Sequence, residues 1–348
     1  MESKNKRVTL KDIADVCGYS VNTISRALRN DTRLPADTIS RIQTAATELG
    51  YIRNVAASSL RCGQTNLIVA IIDDIQNPYY SEMLAQIARK LQAFNYHLFI
   101  LCAQFQGMHD ADALSLVISY NVSGIFLFPR AESHYMIQTI NQNQIPLVFI
   151  GRELPNRTND VVRCNDYQGG YLAGKSLIRQ GHRKFAFLSG PWNSASQVLR
   201  YNGFMQALAE SSISADSVRE VSYKDFQDAI VSQSLKKLLI PVDYTAICAF
   251  SDLVAYSAMN TLQEEGYRIP EDVSIVGFDH LRQSLPHLLP LSSISYTANE
   301  PIADEAVDLM ISRIKDPAQD IRSKILSVKL YDEGTIGAVP KETNFNRI

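Results

Sequence analysis

Apolar side chains recur at helical spacing in the first fifty residues and as short continuous runs from residue 67 onward. In the first region three successive groups each fall on one face of a helix. These groups are Leu10, Ile13 and Ala14, then Ile24 and Leu28, then Ile39, Ile42, Ala46 and Leu49. The pattern predicts three short amphipathic helices with a shared core, complete by Tyr51.

Capping residues divide these helices. Thr9 can cap the first through its hydroxyl, Gly18 supplies the backbone freedom of a sharp turn, and Ser20 can cap the second. Ala36 or Asp37 opens the third helix. The second helix then points polar or small side chains outward, namely Val21, Asn22, Ser25 and Arg26. This arrangement is typical of a helix-turn-helix module that enters the major groove of DNA, and the alternative is an ordinary helical hairpin.

The second region alternates apolar runs with segments long enough for crossover helices, which is typical of parallel α/β proteins. The runs that predict buried strands are Leu67–Ile72, His97–Leu101, Gly124–Phe128, Leu147–Ile150, Phe185–Leu188, Ala246–Ala249 and Ser274–Gly277. About 280 residues of such alternation exceed one sheet. A change of pattern over residues 161–168 therefore predicts two doubly wound lobes, with a binding cleft between them.

Polar and aromatic residues follow several of these predicted strands. They are Asn77-Pro-Tyr-Tyr80, Gly151-Arg152, Gly190-Pro-Trp192, Ser251-Asp252 and Phe278-Asp279-His280. Open parallel sheets bind ligands at the carboxyl ends of their strands, so these residues suit a small polar ligand. The alternative is that they are ordinary turn residues, because Asp, Asn, Gly and Pro favour turns.

Charge is divided unevenly along the 348 residues. Residues 1–61 carry ten Lys or Arg against six Asp or Glu, whereas the whole chain carries 34 against 36. A basic head on an acidic body fits a phosphate-binding module joined to a sensor. The polar N-terminus and the absence of a long apolar stretch predict a cytoplasmic protein without a membrane partner. Five scattered cysteines predict neither disulfides nor a metal site, and we expect no cofactor.

One motif suggests an enzyme. Gly169 to Ser176 matches the phosphate-binding P-loop pattern G-x-x-x-x-G-K-[ST], which would make the protein an NTPase that depends on Lys175. A P-loop follows a strand directly, but here Asn165 to Gln168 intervene and the apolar residues have helical spacing. The sequence therefore favours a helix at this point and predicts that the protein is not an enzyme.

The chain resembles the lactose and galactose repressor family of bacterial transcription regulators over nearly its whole length. The resemblance rests on Thr9-Leu-Lys-Asp-Ile-Ala, Ser20-x-x-Thr-Ile-Ser-Arg26, Leu49-Gly-Tyr51, Ala57-x-x-Leu60, Arg200-x-x-Gly-Phe204 and Ile269-Pro-Glu-Asp-Val-Ser-Ile-Val-Gly-Phe-Asp279. It implies a three-helix helix-turn-helix head and a two-lobed body with doubly wound parallel sheets, like that of periplasmic sugar-binding proteins.

The resemblance also implies the domain bounds. The DNA-binding domain is expected at residues 1–53, a hinge helix and linker at 54–64, the effector-binding and dimerisation domain at 65–340, and a tail at 341–348. One lobe is expected to combine about 65–163 with 298–325, and the other 164–297 with 326–340.

By position in the family motif, Val21, Asn22 and Arg26 would face base edges of an operator, and Arg26 could fork onto a guanine. Thr9, Ser20, Thr23 and Ser25 would contact phosphates or cap helices. The hinge would contribute Asn54, Ala57 and Leu60, the last as a wedge in the minor groove. One departure is Arg53, which stands where the family usually has proline and could change the entry angle of the hinge.

In the body, Arg200 and Asp279 match the two most regular effector contacts of the family. Positions that vary with the ligand are Tyr79, Tyr80, Arg152, Trp192, Tyr223, Ser251 and Tyr296. Together they favour a sugar or sugar acid, although His280 replaces the usual Asn or Asp. The family implies a homodimer on double-stranded operator DNA, acting most often as a repressor, whose effector either releases or promotes DNA binding. The alternatives are the NTPase and a DNA-binding regulator that needs no effector.

Overall fold

The structure is a computed structural model that describes residues 8–52, 65–72, 74–102, 110–128, 134–154, 159–189, 195–222, 232–283, 285–297, 299 and 301–340. The chain separates into two compact units, residues 1–63 and 64–348, which we call the head and the body. Each unit is described by itself below.

The head contains three helices around a small core, as the sequence predicts. They are α1 (Leu10–Cys17), α2 (Val21–Ala27) and α3 (Ala36–Glu48). The hydroxyl of Thr9 caps α1, Ser20 caps α2, and Gly18 ends α1 with a φ of 74°. The core differs in one detail, because Ala27 is fully buried while Leu28 packs on its margin.

The first lobe of the body has a six-stranded, all-parallel sheet in the order β11-β5-β4-β3-β1-β2. Its strands are β1 (Leu67–Ile72), β2 (His97–Cys102), β3 (Gly124–Leu127), β4 (Leu147–Ile150), β5 (Asp160–Cys164) and β11 (Ser323–Leu326). The helices that belong with it are α4 (Pro78–Ala93), α5 (Asp110–Ser119), α6 (His134–Gln142) and α11 (Ile302–Lys315). Apolar side chains fill both faces of the sheet, so the lobe has two core layers.

The second lobe has a six-stranded sheet in the order β12-β10-β9-β8-β6-β7, parallel except for the antiparallel edge pair of β10 and β12. Its strands are β6 (Phe185–Leu188), β7 (Val218–Val221), β8 (Ala246–Ala249), β9 (Ser274–Phe278), β10 (Ser293–Tyr296) and β12 (Val328–Tyr331). Its helices are α7 (Asp166–Arg179), α8 (Ala195–Glu210), α9 (Ser232–Leu239) and α10 (Asp252–Glu264), with short 3-10 turns at Ala215–Ser217 and Leu281–Gln283. The chain passes between the lobes after β5, after β10 and after β11, which confirms the predicted two-lobed fold class.

All seven predicted strands are present within a residue of their expected ends, but β5, β7, β10, β11 and β12 are additional. Three of these five, β7, β11 and β12, are edge strands that bury few of their residues, so polar side chains interrupt the apolar run. None of the helices in the described ranges has the length and apolar character that a bilayer crossing requires.

Candidate functional site

The carboxyl ends of the strands in the two lobes face a common cleft. Two adjoining cavities lie there and share Tyr79, Gly151, Arg200 and Asp279 in their walls. Tyr79 lies in the first turn of α4 and Gly151 follows β4 in the first lobe, while Arg200 lies on α8 and Asp279 follows β9 in the second. The structure therefore brings residues from both lobes to one site, in the position where open parallel sheets bind ligands.

Arg200 is the positive centre of this cleft. Its Nε donates to Asp166 Oδ1 at 2.8 Å and its Nη1 donates to the carbonyl of Phe250 at 2.5 Å. The guanidinium carbon lies 4.3 Å from the ring centre of Phe278, so the ring supports the charged plane. Burial opposes the charge of Arg200, but Asp166 and Asp279 together raise its pKa. Arg200 is therefore a fixed cation that keeps Nη atoms near the cavity.

Asp279 is an acidic residue of the same cleft as Arg200, and its backbone is strained. Its φ is 107° and that of His280 is 54°, both in the region that favours glycine. Two serines of β10 hold this turn, because Ser295 Oγ donates to the carbonyl of Asp279 at 3.0 Å and Ser293 Oγ accepts from the N–H of His280 at 3.0 Å. The surrounding structure thus directs the Asp279 carboxylate to the cleft.

Asp252 supports the same turn from behind. Its Oδ2 accepts from the N–H of Leu281 at 2.8 Å, and its Oδ1 accepts from Ser293 Oγ at 2.6 Å. Gly277 leaves the room for it, since a Cβ at that position would stand 2.4 Å from Asp252 Oδ1. Asp166 is missing from the predicted set, whereas Asp252 was named among the polar residues that follow a predicted strand but was assigned no effector contact.

The pKa of Asp279 gives the stability of the body a pH dependence. Burial raises this pKa to about 7, although the nearby Arg200 opposes the shift. An unfolded aspartate has a pKa of about 3.9, so between pH 4 and pH 7 the folded chain keeps a proton that the unfolded chain has lost. Stability contributed by Asp279 therefore falls as pH rises through this window and levels off above it.

We expect Asp279→Asn to remove this cost. The free energy of unfolding of the variant, minus that of the unmodified protein, should be larger at pH 8 than at pH 4.5 by at least about 1 kcal/mol. One pKa unit corresponds to about 1.4 kcal/mol. Urea unfolding at both pH values measures the difference. Equal gains at the two pH values would show that Asp279 does not titrate in this range.

Aromatic rings form the other walls of the cleft. Tyr79 and Tyr80 pack edge to face with ring centres 5.5 Å apart, and Tyr80 packs on Phe128 at 5.0 Å. Tyr296 lies at the end of β10, and burial raises the pKa of its hydroxyl to about 12. These rings offer flat apolar faces with neutral hydroxyls beside them. They suit a ligand that is apolar on its faces and polar at its rim.

The remaining predicted residues of the cleft fall into two groups. Arg152 and Ser251 line the larger cavity, and the hydroxyl of Ser251 also caps α10 by accepting from the N–H of Val254. Across the lobes, Ser196 Oγ donates to the carbonyl of Gly151 at 3.3 Å. Trp192 and Tyr223 lie outside the described residues.

His280 does not line either cavity. Its ring stacks on Tyr331 with centres 3.9 Å apart, and its Nε2 lies 3.2 Å from Glu333 Oε1, which also pairs with Arg282. The replacement of the usual Asn or Asp at this position therefore changes the packing behind the turn rather than the cavity wall.

The segment from Gly169 to Ser176, which matches the P-loop pattern, lies inside α7, so it forms no phosphate-binding loop. Its glycines serve helix packing, because a Cβ at Gly170 would stand 1.9 Å from the carbonyl oxygen of Arg200 and one at Gly174 would stand 2.8 Å from Ala207 Cβ. Lys175 pairs with Glu210 at 3.1 Å on the surface of the body. Of the two glycines that define the pattern, Gly174 packs against α8, whereas Gly169 packs against the sheet, since its Cβ would stand 2.7 Å from the ring of Phe278. Both positions therefore serve helix packing.

We expect Lys175→Ala to leave the protein's behaviour almost unchanged. A surface ion pair contributes little to stability because water and salt screen it, and no ATP hydrolysis should depend on this side chain. A phosphate-release assay and a thermal melt of both proteins measure the two effects. ATP hydrolysis that disappears in Lys175→Ala would restore the NTPase interpretation.

In the head, the predicted DNA-contacting residues lie on or beside α2. Val21 and Asn22 are exposed in its first turn, and Ser25 and Arg26 are partly exposed in the next turn. The hydroxyls of Thr9, Ser20 and Thr23 take part in capping contacts at the starts of α1 and α2. The predicted hinge residues Asn54, Ala57 and Leu60, together with Arg53, lie outside the described residues.

Two family models match this chain. "Bacterial regulatory proteins, lacI family" matches residues 9–54, and "Periplasmic binding proteins and sugar binding domain of LacI family" matches residues 65–333. The HTH-type transcriptional repressor PurR of Aliivibrio salmonicida is 29% identical over 317 residues, covering 90% of this chain and 94% of the relative.

Solved structures show the same fold. The lac repressor dimer bound to operator and the anti-inducer ONPF has a TM-score of 0.79 at 24% identity and covers 96% of this chain and 100% of its own. A LacI family transcriptional regulator from Enterococcus faecium with bound ribose has a TM-score of 0.70 at 24% identity, covering 78% and 99%. Head, body and their order along the chain are thus all matched.

Proposed function

Because the chain belongs to the lacI family of bacterial regulatory proteins and is a DNA-binding transcriptional regulator, we propose that it is an effector-controlled repressor that acts as a homodimer on operator DNA. The observation that carries the effector part is the cleft itself, where Arg200 and Asp279 face a cavity built by both lobes. A ligand that touches both lobes has different contacts when their angle changes, which is the requirement for control by ligand.

The head supports the DNA part of the proposal. The exposed side of α2 presents Val21, Asn22 and Arg26, the types of side chain that contact base edges in a major groove. A single head of three helices buries little DNA surface, so two heads on a near-palindromic site would supply both affinity and specificity. The lac repressor structure is itself a dimer on operator.

The effector that we propose is a sugar or a sugar derivative. Carboxylate and guanidinium groups can bond several hydroxyls at once, and the rings of Tyr79 and Tyr80 can pack on the apolar face of a pyranose or furanose. Asp166 and Asp279 offset the charge of Arg200, while Arg152 adds a second cation to the wall of the larger cavity, so the site can take a neutral sugar or a sugar acid. The relative from Enterococcus faecium was solved with ribose.

We infer that the ligand and the operator are coupled through the residues that join head and body. The segment 54–64 is the proposed hinge and linker, with Leu60 as its minor-groove wedge, and lies outside the described residues. A change in lobe angle would alter the separation of two such hinges in a dimer and so their ability to form on DNA. The sign of the coupling, release or corepression, is an outcome of the experiment below.

Selection of bound duplexes from a random pool, with and without ribose, cellobiose and other sugars, tests the proposal. We expect a symmetric site whose affinity falls steeply with salt and changes by at least about fivefold with one of the sugars. A symmetric site that responds to no sugar would favour the effector-independent regulator. No preference among duplexes under any condition would contradict the proposal as a whole.

A further inference from the structure

A single carboxylate in the head holds two arginines. Asp31 Oδ2 accepts from Arg26 Nε at 2.9 Å and from Arg33 Nη2 at 2.7 Å, while Oδ1 accepts from Arg33 Nε at 2.9 Å. The three side chains differ in exposure, since those of Asp31 and Arg26 are 17% and 29% exposed and that of Arg33 is 78% exposed. Asp31 is thus a mostly buried carboxylate that is bonded to Arg26, a predicted DNA-contacting residue.

The backbone after α2 places this carboxylate. The N–H of Asp31 donates to the carbonyl of Arg26 at 3.1 Å, and the N–H of Leu34 donates to the carbonyl of Asp31 at 3.0 Å. Asn30 makes the turn with a φ of 57°, and its side chain accepts from Gln43 of α3 at 2.6 Å. The turn is therefore tied to α2 and α3, and Asp31 has little freedom to follow Arg26 elsewhere.

The contact changes what Arg26 can do. A free arginine side chain has several rotatable bonds and loses that freedom when it binds a base. With Nε bonded to a fixed carboxylate, the guanidinium plane of Arg26 has one orientation. Within the described residues its two Nη atoms make no hydrogen bond. These two atoms form the end-on fork that matches the O6 and N7 acceptors of guanine.

We propose that Asp31 is a positioning residue for operator recognition, which fixes the guanidinium of Arg26 so that its Nη fork meets one guanine. This inference rests on the proposed function, because it requires that Arg26 faces a base. As an acidic residue, Asp31 also reduces the positive charge of the head, so it lowers affinity for DNA in general. Asp31 therefore lowers the affinity for all duplexes and increases the preference for the base pair that Arg26 contacts.

A role limited to charge predicts a different result from a positioning role. Removing an acidic residue that only repels phosphates raises affinity for all duplexes and leaves base preference unchanged. Asp15 offers a matched control, because it is exposed on α1 and has no hydrogen-bond partner among the described residues. Asp15→Asn and Asp31→Asn remove the same charge from the same unit.

The experiment measures binding of the full-length protein to the duplex selected from a random pool and to its single base-pair variants at several salt concentrations. Arg26→Lys, which keeps the charge and removes the fork, first identifies the guanine that Arg26 contacts. At that base pair we expect Asp31→Asn to reduce discrimination by at least about fivefold, a typical share of one bidentate contact. Asp15→Asn should keep full discrimination while both variants bind random duplexes more tightly.

Asp31→Glu is the second variant, in which the carboxylate keeps its charge but moves by one methylene group. A positioning role predicts a loss of discrimination in this variant too, and it decides the question if Asp31→Asn fails to fold in a thermal melt. In the Arg26→Lys background neither change should alter base preference further, because the fork is already absent.

Each other result overturns the inference. It fails if Asp31→Glu discriminates as well as the unmodified protein, if the loss is equal in the Arg26→Lys background, or if Arg26→Lys affects no base pair. The proposed function survives these results, because the protein would still select a site. Only an unmodified protein without sequence preference contradicts the proposed function, so the two failures are distinguishable.

Discussion

Gly170→Ala is expected to destabilise the body by about 3 kcal/mol, the upper end of the usual cost of overpacking. A Cβ at Gly170 would stand 1.9 Å from the carbonyl oxygen of Arg200, and a Cβ at Gly203 would stand 1.9 Å from that of Tyr167. The helices α7 and α8 therefore touch through their backbones at two points, and neither contact can yield by turning a side chain. Thermal and urea unfolding measure the loss.

The alanine series contains its own control. Gly174 is on the same helix, but its Cβ would stand 2.8 Å from Ala207 Cβ and 3.2 Å from the carbonyl oxygen of Phe204, so the overlap is smaller and Gly174→Ala should cost less. Alanine also raises helix propensity by about 1 kcal/mol over glycine, which works against the predicted loss in both variants. If Gly170→Ala were as stable as the unmodified protein, the helices could not cross as closely as the structure shows.

The same substitution connects packing with the effector site. The carbonyl that a Cβ at Gly170 would meet belongs to Arg200, the cation of the cleft. A shift of α8 away from α7 moves the backbone that carries this arginine and lengthens its contact with Asp166, which lies on α7. Gly170→Ala should therefore weaken any response to a ligand even where enough protein remains folded.

Apolar runs were sufficient to predict the centre of both sheets. Strands such as β3, β4, β6 and β8 are covered on both faces, so every residue in them is buried and the sequence shows an uninterrupted apolar stretch. The edge strand β7 has the sequence Val-Arg-Glu-Val and buries only its last residue. Such a strand forms because a neighbour offers hydrogen bonds, and that information lies outside its own residues.

The candidate site was predictable to a similar extent. Arg200 and Asp279 were identified from motifs, and the structure places both at one cleft. Asp166 was missed, and Asp252 was named without its supporting role, because both roles depend on distant partners: Asp166 meets Arg200 34 positions away and Asp252 meets Ser293 41 positions away. A buried acid directly after a strand or at a helix start was the available signal.

In the head, the sequence predicted that Arg26 points outward, but it did not predict that Asp31 bonds the guanidinium of Arg26. The bond from Arg26 Nε to Asp31 depends on a turn made by Asn30 in the left-handed region, and periodicity does not report such a turn. Outward position and orientation are separate properties, and only the structure gives the second.

Arg200→Met is expected to have the largest effect on both stability and function. The change leaves the carboxylate of Asp166, 3% exposed, without its ion pair, and removal of one partner of a buried pair costs about 3–5 kcal/mol. It also removes the cation from the cavity, so operator affinity should no longer respond to whichever sugar controls the unmodified protein. Urea unfolding and operator titrations with and without that sugar measure the two losses.

The double variant Arg200→Met with Asp166→Asn separates these losses. Without the unpaired carboxylate, most of the lost stability should return, since a buried pair replaced on both sides is often near neutral. The response to the sugar should stay absent, because the group that would bond its hydroxyls is still missing. A double variant that regained the response would show that Arg200 serves the fold alone, whereas a stable and unresponsive one would assign it to ligand binding.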